Sequence, residues 1–286
     1  MLTSAFTCTG PYAVLIMLGI KRVENRSAMP EPAKGRCAVG CSKSFCREEY
    51  GNFVQWASRA LPSEDFDLIP SWSDVAGWPG KIVGTCDYEA DGNGDDKWNE
   101  GYSCWWHLSD VVCFDAPIPC RGNVGMWQMP SELAAQVTAS DALARSVGEK
   151  VASADDARRL FALAAHIAGR SEGLFVLPLD AERRALAAPV LVSLGTETTT
   201  VVPPKAVFAE AFKAGADSII IAHNHPSGDL RPSKADLAAT KELKDLSRRL
   251  SVNFIDHLIL GNSSDFVSLE EMGTRTGSDP FSNHNF

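Results

Sequence analysis

Three things are scarce in this 286-residue chain, and each scarcity narrows what it can do. Basic residues are outnumbered: 27 Lys and Arg stand against 36 Asp and Glu, for a formal net charge of −9. The deficit divides into about −6 before residue 150 and about −3 after it. Neither part therefore has the basic excess with which a protein grips a phosphate backbone irrespective of sequence. Recognition of one nucleobase in a small pocket stays open, because it contacts few phosphates. Apolar runs are short. The run Tyr12 to Ile20 has no charged stretch before it and is followed by Lys21-Arg22, which supports neither a signal peptide nor a membrane span. A cytoplasmic location is the resulting expectation.

The third scarcity is local. All eight cysteines and all seven tryptophans lie before residue 130, and that step in composition predicts two domains. Cys37, Cys41 and Cys46 come close to a metal cluster but lack paired Cys-x2-Cys knuckles, and Arg36 to Cys41 reads as a small-residue strand that buries thiols. Without export signals, disulfides are not expected. The alanine-rich stretch Ser131 to Arg145 reads as a helix, and Ser153 as the N-cap of the next one. The expected division is residues 1–130, a helical linker at 131–152, a second domain at 153–272 and a disordered tail at 273–286.

What is present is concentrated between Ile219 and Asp236. Ile219-Ile220-Ile221 predicts a buried strand, and residues two apart on a strand share a face, so His223 and His225 leave it aimed at one point. Pro226-Ser227-Gly228-Asp229 signals a turn, and Ser233-Lys234-Ala235-Asp236-Leu237 opens a helix with Asp236 in its first turn. A catalytic zinc usually has three protein ligands and an open fourth position, and His223, His225 and Asp236 meet that requirement. Ser233 and Asp236 alone also fit a plain capping box, and a lone strand histidine is ordinarily a satisfied core residue. The conjunction of the four is what points to chemistry.

The spacing His-x-His-(x7)-Ser-(x2)-Asp resembles the JAMM motif of the JAB/MPN metallo-isopeptidases. The stretches Ala222 to Asp229 and Asp256 to Gly261 are similar to their bacterial RadC-type branch, and the likeness runs from about Ser153 to Glu271. It implies an α/β domain, a mixed sheet with flanking helices, holding one zinc ion per chain on His223, His225 and Asp236. It also implies Glu172, before the apolar strand Gly173 to Asp180, as general base and then acid, and Ser233 as hydrogen-bond donor to the oxyanion. His257 matches a histidine common in the RadC-type branch, with no role implied.

In the first domain, Gly19-Ile20-Lys21-Arg22-Val23-Glu24-Asn25-Arg26 follows an apolar helix, and the charged run reads as a loop. This Gly-x-Lys-x-x-Glu-x-Arg pattern, with Trp105 to Asp110 and Phe114 to Trp127, resembles the ASCH family of PUA-like β-barrels over about residues 8–130, with an unassigned insertion from about Gly51 to Asn99. The resemblance implies a nucleic-acid or modified-base site at Lys21, Glu24, Asn25 and Arg26, with tryptophans at the barrel mouth. The residues themselves equally allow a solvated charge run and core tryptophans. Where some ASCH proteins that hydrolyse acylated cytidine carry Lys-x-x-Thr, this chain has Glu24 three after Lys21. The combined expectation is a zinc-dependent peptidase or isopeptidase acting on a protein or ubiquitin-like modifier, coupled to a base-reading domain and to no membrane. The alternative is a RadC-like DNA-associated binding or nuclease-type protein.

Overall fold

Alternating and continuous apolar segments build two sheets in the computed structural model, which describes residues 2–91, 104–123, 125–168, 172–194, 203–225, 227–261 and 265–276. The chain divides into two units, Met1–Asp141 and Ala142–Phe286.

The first unit runs β1 (Ser4–Cys8), α1 (Gly10–Met17), β2 (Val23–Arg26), β3 (Lys34–Cys41), α2 (Arg47–Ala60), α3 (Ser63–Phe66), α4 (Trp72–Val75), β4 (Lys81–Asp91), β5 (Cys104–Pro119) and β6 (Met126–Gln128), and the division falls within α5 (Ser131–Arg145). The strands form one sheet in the order β2-β5-β4-β3-β1-β6. Helix α1 is apolar all round and accordingly buried, with Ala13, Val14, Leu15 and Ile16 fully covered. Gly19, at φ 70°, turns the chain after it, a conformation that side chains with a Cβ resist.

Two expectations change here, and one of the readings left open is met. The closed barrel is not seen: among the described residues the sheet ends at β2 and β6, each of three or four residues and each paired with one neighbour, so the sheet stays open. The charged run is not a solvated loop. Its second half is β2, paired antiparallel with β5, and Lys21 and Glu24 are only 1% and 5% exposed. The tryptophans are mostly core: Trp78, Trp105, Trp106 and Trp127 are buried, while Trp56 stands half-exposed on α2. The thiols of Cys37 and Cys41 are buried on β3, and the start of the unassigned insertion is the middle of α2.

The second unit runs α6 (Ala154–Ala168), β7 (Gly173–Leu179), β8 (Val190–Leu194), α7 (Pro204–Ala214), β9 (Ser218–Asn224), α8 (Lys234–Leu250), β10 (Asn253–Leu260), β11 (Phe266–Ser268) and α9 (Leu269–Thr276). Its sheet has the order β11-β10-β9-β7-β8, with β9 and β10 parallel and the other pairs antiparallel. Two cores flank it. Phe175, Leu177, Ile220 and Leu258 pack with Leu160 and Phe161 of α6, while Leu174, Val176, Ile219 and Ile221 pack with Val207 and Phe208 of α7 and Leu243 of α8. Burial on both faces explains why β7 and β9 read as continuous apolar runs instead of alternating ones. Helix α9 carries the order to Thr276, three residues past the start of the expected disordered tail, and the rest of that tail lies outside the described residues. No helix among the described residues is long and apolar enough to cross a membrane.

Candidate metal centre

The register of three strands brings the site together. His223 near the end of β9 sits opposite Leu174 of β7 and Ile259 of β10, so Glu172, two residues before Leu174, arrives at the same end of the sheet. Asn224 holds it there: its side-chain oxygen accepts a 2.8 Å hydrogen bond from the backbone N–H of Gly173. His225 follows the strand, with its backbone N–H donating to the Leu260 carbonyl at 2.8 Å. One donor atom each from Glu172, His223 and His225 lies within 4.8 Å of the other two.

Asp236 enters from α8. The capping box is real: Ser233 Oγ accepts from the Asp236 N–H at 3.1 Å, and Asp236 Oδ2 accepts from the Ser233 N–H at 2.7 Å. The other carboxylate oxygen, Oδ1, stands 3.5 Å from His223 Nε2. One side chain thus serves both readings of the motif. Asp236 is buried and Ser233 exposed, and the Ser233 hydroxyl, accepting from the Asp236 N–H, keeps its own proton to donate. The set of mutually close donors is Glu172, His223 and His225, and Asp236 adjoins it through His223.

The protons follow from donor and acceptor rules. Thr240 Oγ lies 2.6 Å from the Asp236 carbonyl, which can only accept, so the hydroxyl proton goes there. Its oxygen must then accept from His257 Nδ1–H, also at 2.6 Å. Neutral His257 is left with a lone pair on Nε2, which accepts from His223 Nδ1–H at 2.8 Å. Burial opposes charge on both rings. It pushes His223 down to about 4, with Asp236 pulling the other way and His225 adding to the drop, and it pushes His257 well below the usual histidine range. His225 donates its Nδ1–H to the Asp229 carbonyl. His223 Nε2, on a ring whose proton sits at Nδ1, lies 2.8 Å from His225 Nε2 and 3.5 Å from Asp236 Oδ1. Two imidazole nitrogens and a carboxylate oxygen are donors of the kind that suit zinc.

Residues 151–274 match the family model described as the RadC-like JAB domain. The second unit carries a RadC-like JAB domain. The chain is similar to UPF0758 proteins: 44% identical over 102 residues to one from Thermosynechococcus vestitus, 43% over 118 to one from Acaryochloris marina and 48% over 80 to one from Clostridium novyi. These matches cover 36%, 41% and 28% of this chain, and 40%, 48% and 35% of the relatives. The chain thus spans about two fifths of the length of the curated relatives it matches.

Within the JAB domain, sequence reasoning missed Thr240 and Asn224 and left His257 without a role. A lone histidine in the apolar strand Asn253–Leu260 looks like core filling, and only the strand register puts it beside His223. In the first unit, Glu24, Asn25 and Arg26 line a cavity of about 720 Å³ together with Thr7, Lys43 and Arg121. Lys21 sits behind that wall: its ammonium donates to the Val23 carbonyl and lies 3.8 Å from Glu24, whose carboxylate meets Arg26 at 2.8 Å. Arg26 also donates to the Thr7 carbonyl at 2.9 Å and stacks over Trp106 at 5.7 Å.

Proposed function

We propose that the JAB domain is a zinc-dependent hydrolase of peptide or isopeptide bonds, with a protein or ubiquitin-like modifier as substrate. The observation that carries this reading is the approach of His225 Nε2 and Asp236 Oδ1 to His223 Nε2, at 2.8 and 3.5 Å. His223, His225 and Asp236 would hold the ion, which would supply Lewis acidity toward a carbonyl and lower the pKa of water to about 7. Glu172 takes the proton from the attacking water and returns it to the departing amine, so the peptide bond breaks with no net change in the side chain. Ser233 donates its hydroxyl proton to the carbonyl oxygen as negative charge grows there, while its lone pair continues to cap α8.

The test is metal analysis of the purified chain alongside a screen of peptide, ubiquitin-like and nucleotide substrates. One zinc per chain with peptide or isopeptide cleavage is expected, and His225→Ala should abolish both. Stoichiometric zinc retained in that variant would remove the assignment. Zinc bound without hydrolysis of any peptide would favour a DNA-associated binding role, and cleavage of nucleic acid would favour a nuclease.

For the first unit we propose a PUA-like, ASCH-type reading, in which the open sheet presents Glu24, Asn25 and Arg26 to a base or modified nucleotide. Support comes from the cavity, whose lining couples one buried carboxylate with Arg26, Lys43 and Arg121 inside an acidic chain. Such a site selects by hydrogen bonds to a base edge more than by backbone charge.

A further inference from the structure

We propose that His257 and Thr240 are positioning residues for the metal centre, committing Nε2 of His223 to the ion by fixing the tautomer of its ring. The proposal rests on the zinc reading above. Four groups form a closed loop: His223 Nδ1 to His257 Nε2 at 2.8 Å, His257 Nδ1 to Thr240 Oγ at 2.6 Å, Thr240 Oγ to the Asp236 carbonyl at 2.6 Å, and Asp236 Oδ1 back to His223 Nε2 at 3.5 Å. The loop joins three elements, β9, β10 and α8, and links the two buried candidate ligands through residues that touch no ion. Thr240, His223 and His257 are 0%, 1% and 1% exposed, so water does not reach in to re-partner them.

The direction of the loop is set at Thr240. A threonine in a helix commonly gives its proton to the carbonyl four residues back, here that of Asp236, one turn earlier. That leaves His257 only an oxygen lone pair to meet at Nδ1, which places its proton there and keeps Nε2 bare. Were His257 to hold its proton on Nε2 instead, it would point at Nδ1–H of His223, and His223 would have to move its own proton to Nε2. The proton would then occupy the position the ion needs. A helix hydroxyl two hydrogen bonds away thereby decides whether the strand histidine can ligate. Partners of this kind around metal-bound histidines typically change affinity by about 10–100-fold.

The experiment uses the full chain in two forms. Ring nitrogen NMR on the metal-free protein should show His223 protonated at Nδ1 in the wild type, and a shift toward the Nε2–H form in Thr240→Val. Zinc affinity, measured by competition with a chelator, should fall by about 10–100-fold in Thr240→Val and His257→Leu. Thr240→Ser keeps the hydroxyl, and His257→Gln keeps an acceptor and a donor at similar separation, so both should recover most of the affinity. Thermal unfolding of each metal-free variant separates this from packing, since a purely structural role would lower the melting temperature and leave the tautomer unchanged. Wild-type tautomer and affinity in Thr240→Val would overturn the proposal. So would Thr240→Ser losing as much affinity as Thr240→Val. If the wild type binds no zinc, the hydrolase reading fails, while the tautomer in the metal-free protein still decides the loop: Nε2–H on His223 there would overturn it.

Discussion

The two units bury polar groups in opposite ways. The first sets charge against charge: Lys21 and Arg26 around buried Glu24, and Arg36 among buried Asp141 and the half-exposed Asp87 and Asp110, at 2.7, 2.8 and 3.0 Å. The second buries neutral donors in series, His223, His257 and Thr240, each handing one proton to the next acceptor. Ion pairs close on themselves, which suits a scaffold or a wall that meets a polar ligand. A one-way chain of neutral groups leaves a bare lone pair at His223 Nε2, beside His225 Nε2 and the Asp236 carboxylate, where the proposed ion would bind. Burial of polar residues is common to both units, and the sign and direction of the partners separate them.

The hardest test of the contrast is at Glu172, because it asks whether the proposed hydrolysis can be separated from the proposed metal binding. Glu172→Gln should retain zinc, since the proposed ligands are His223, His225 and Asp236, while turnover falls by about 10²–10⁴, the effect of losing a general base. Metal analysis and turnover on the same sample check it, and loss of zinc in that variant would make Glu172 a ligand. A smaller effect is expected at Asn25→Ala, where the cavity wall loses a hydrogen-bonding side chain without disturbing the ion pairs. If the cavity reads a base, affinity for the ligand found in a panel of nucleosides, nucleotides and single-stranded oligonucleotides should drop about tenfold or more, the range for a lost hydrogen bond in a dry site. Salt dependence should be shallow because few phosphates are touched. Lys21 makes a poor probe, since it is buried behind the wall. No binding by the wild type to any of that panel would move the first unit toward protein interaction and leave the zinc site as it is.

The smallest effect separates the units without any ligand. Arg36→Met removes the cation shared by three carboxylates, of which Asp141, 8% exposed, also accepts from the Thr85 hydroxyl at 2.5 Å. Destabilisation of about 1–3 kcal/mol is expected for lost hydrogen bonds to charged groups. Denaturant unfolding followed by tryptophan fluorescence reports it, since every tryptophan lies before residue 130. Zinc content should stay unchanged. A parallel loss of metal would show that the two units are energetically coupled.

How much of this could be read from the chain alone follows from how local each feature is. His223, His225, Ser233 and Asp236 lie within fourteen residues, and strand and helix periodicity alone aims them together. Glu172 lies far upstream and depends on the antiparallel pairing of β7 with β9, which spacing does not encode; the family resemblance supplied it. Thr240 was invisible, because a threonine on the buried face of an amphipathic helix has no signature beyond its size. The first unit was harder. Lys21 to Arg26 carries the composition of a solvated loop, and only the long strand β5, pairing Glu24 with Trp106 and Asn25 with Trp105, draws that run inward. Barrel closure likewise depends on edge strands too short to announce themselves.

Asp236 divides its two oxygens between a helix terminus and the candidate ion. When a single carboxylate serves both, winding the first turn of α8 and filling the site become linked equilibria: whatever tightens one tightens the other. An ion taken up here would act as a staple at the start of the helix, and stability would climb with free zinc as RT ln(1 + [Zn]/Kd). The melting temperature of the JAB domain then becomes a gauge of metal supply, readable before any substrate is known.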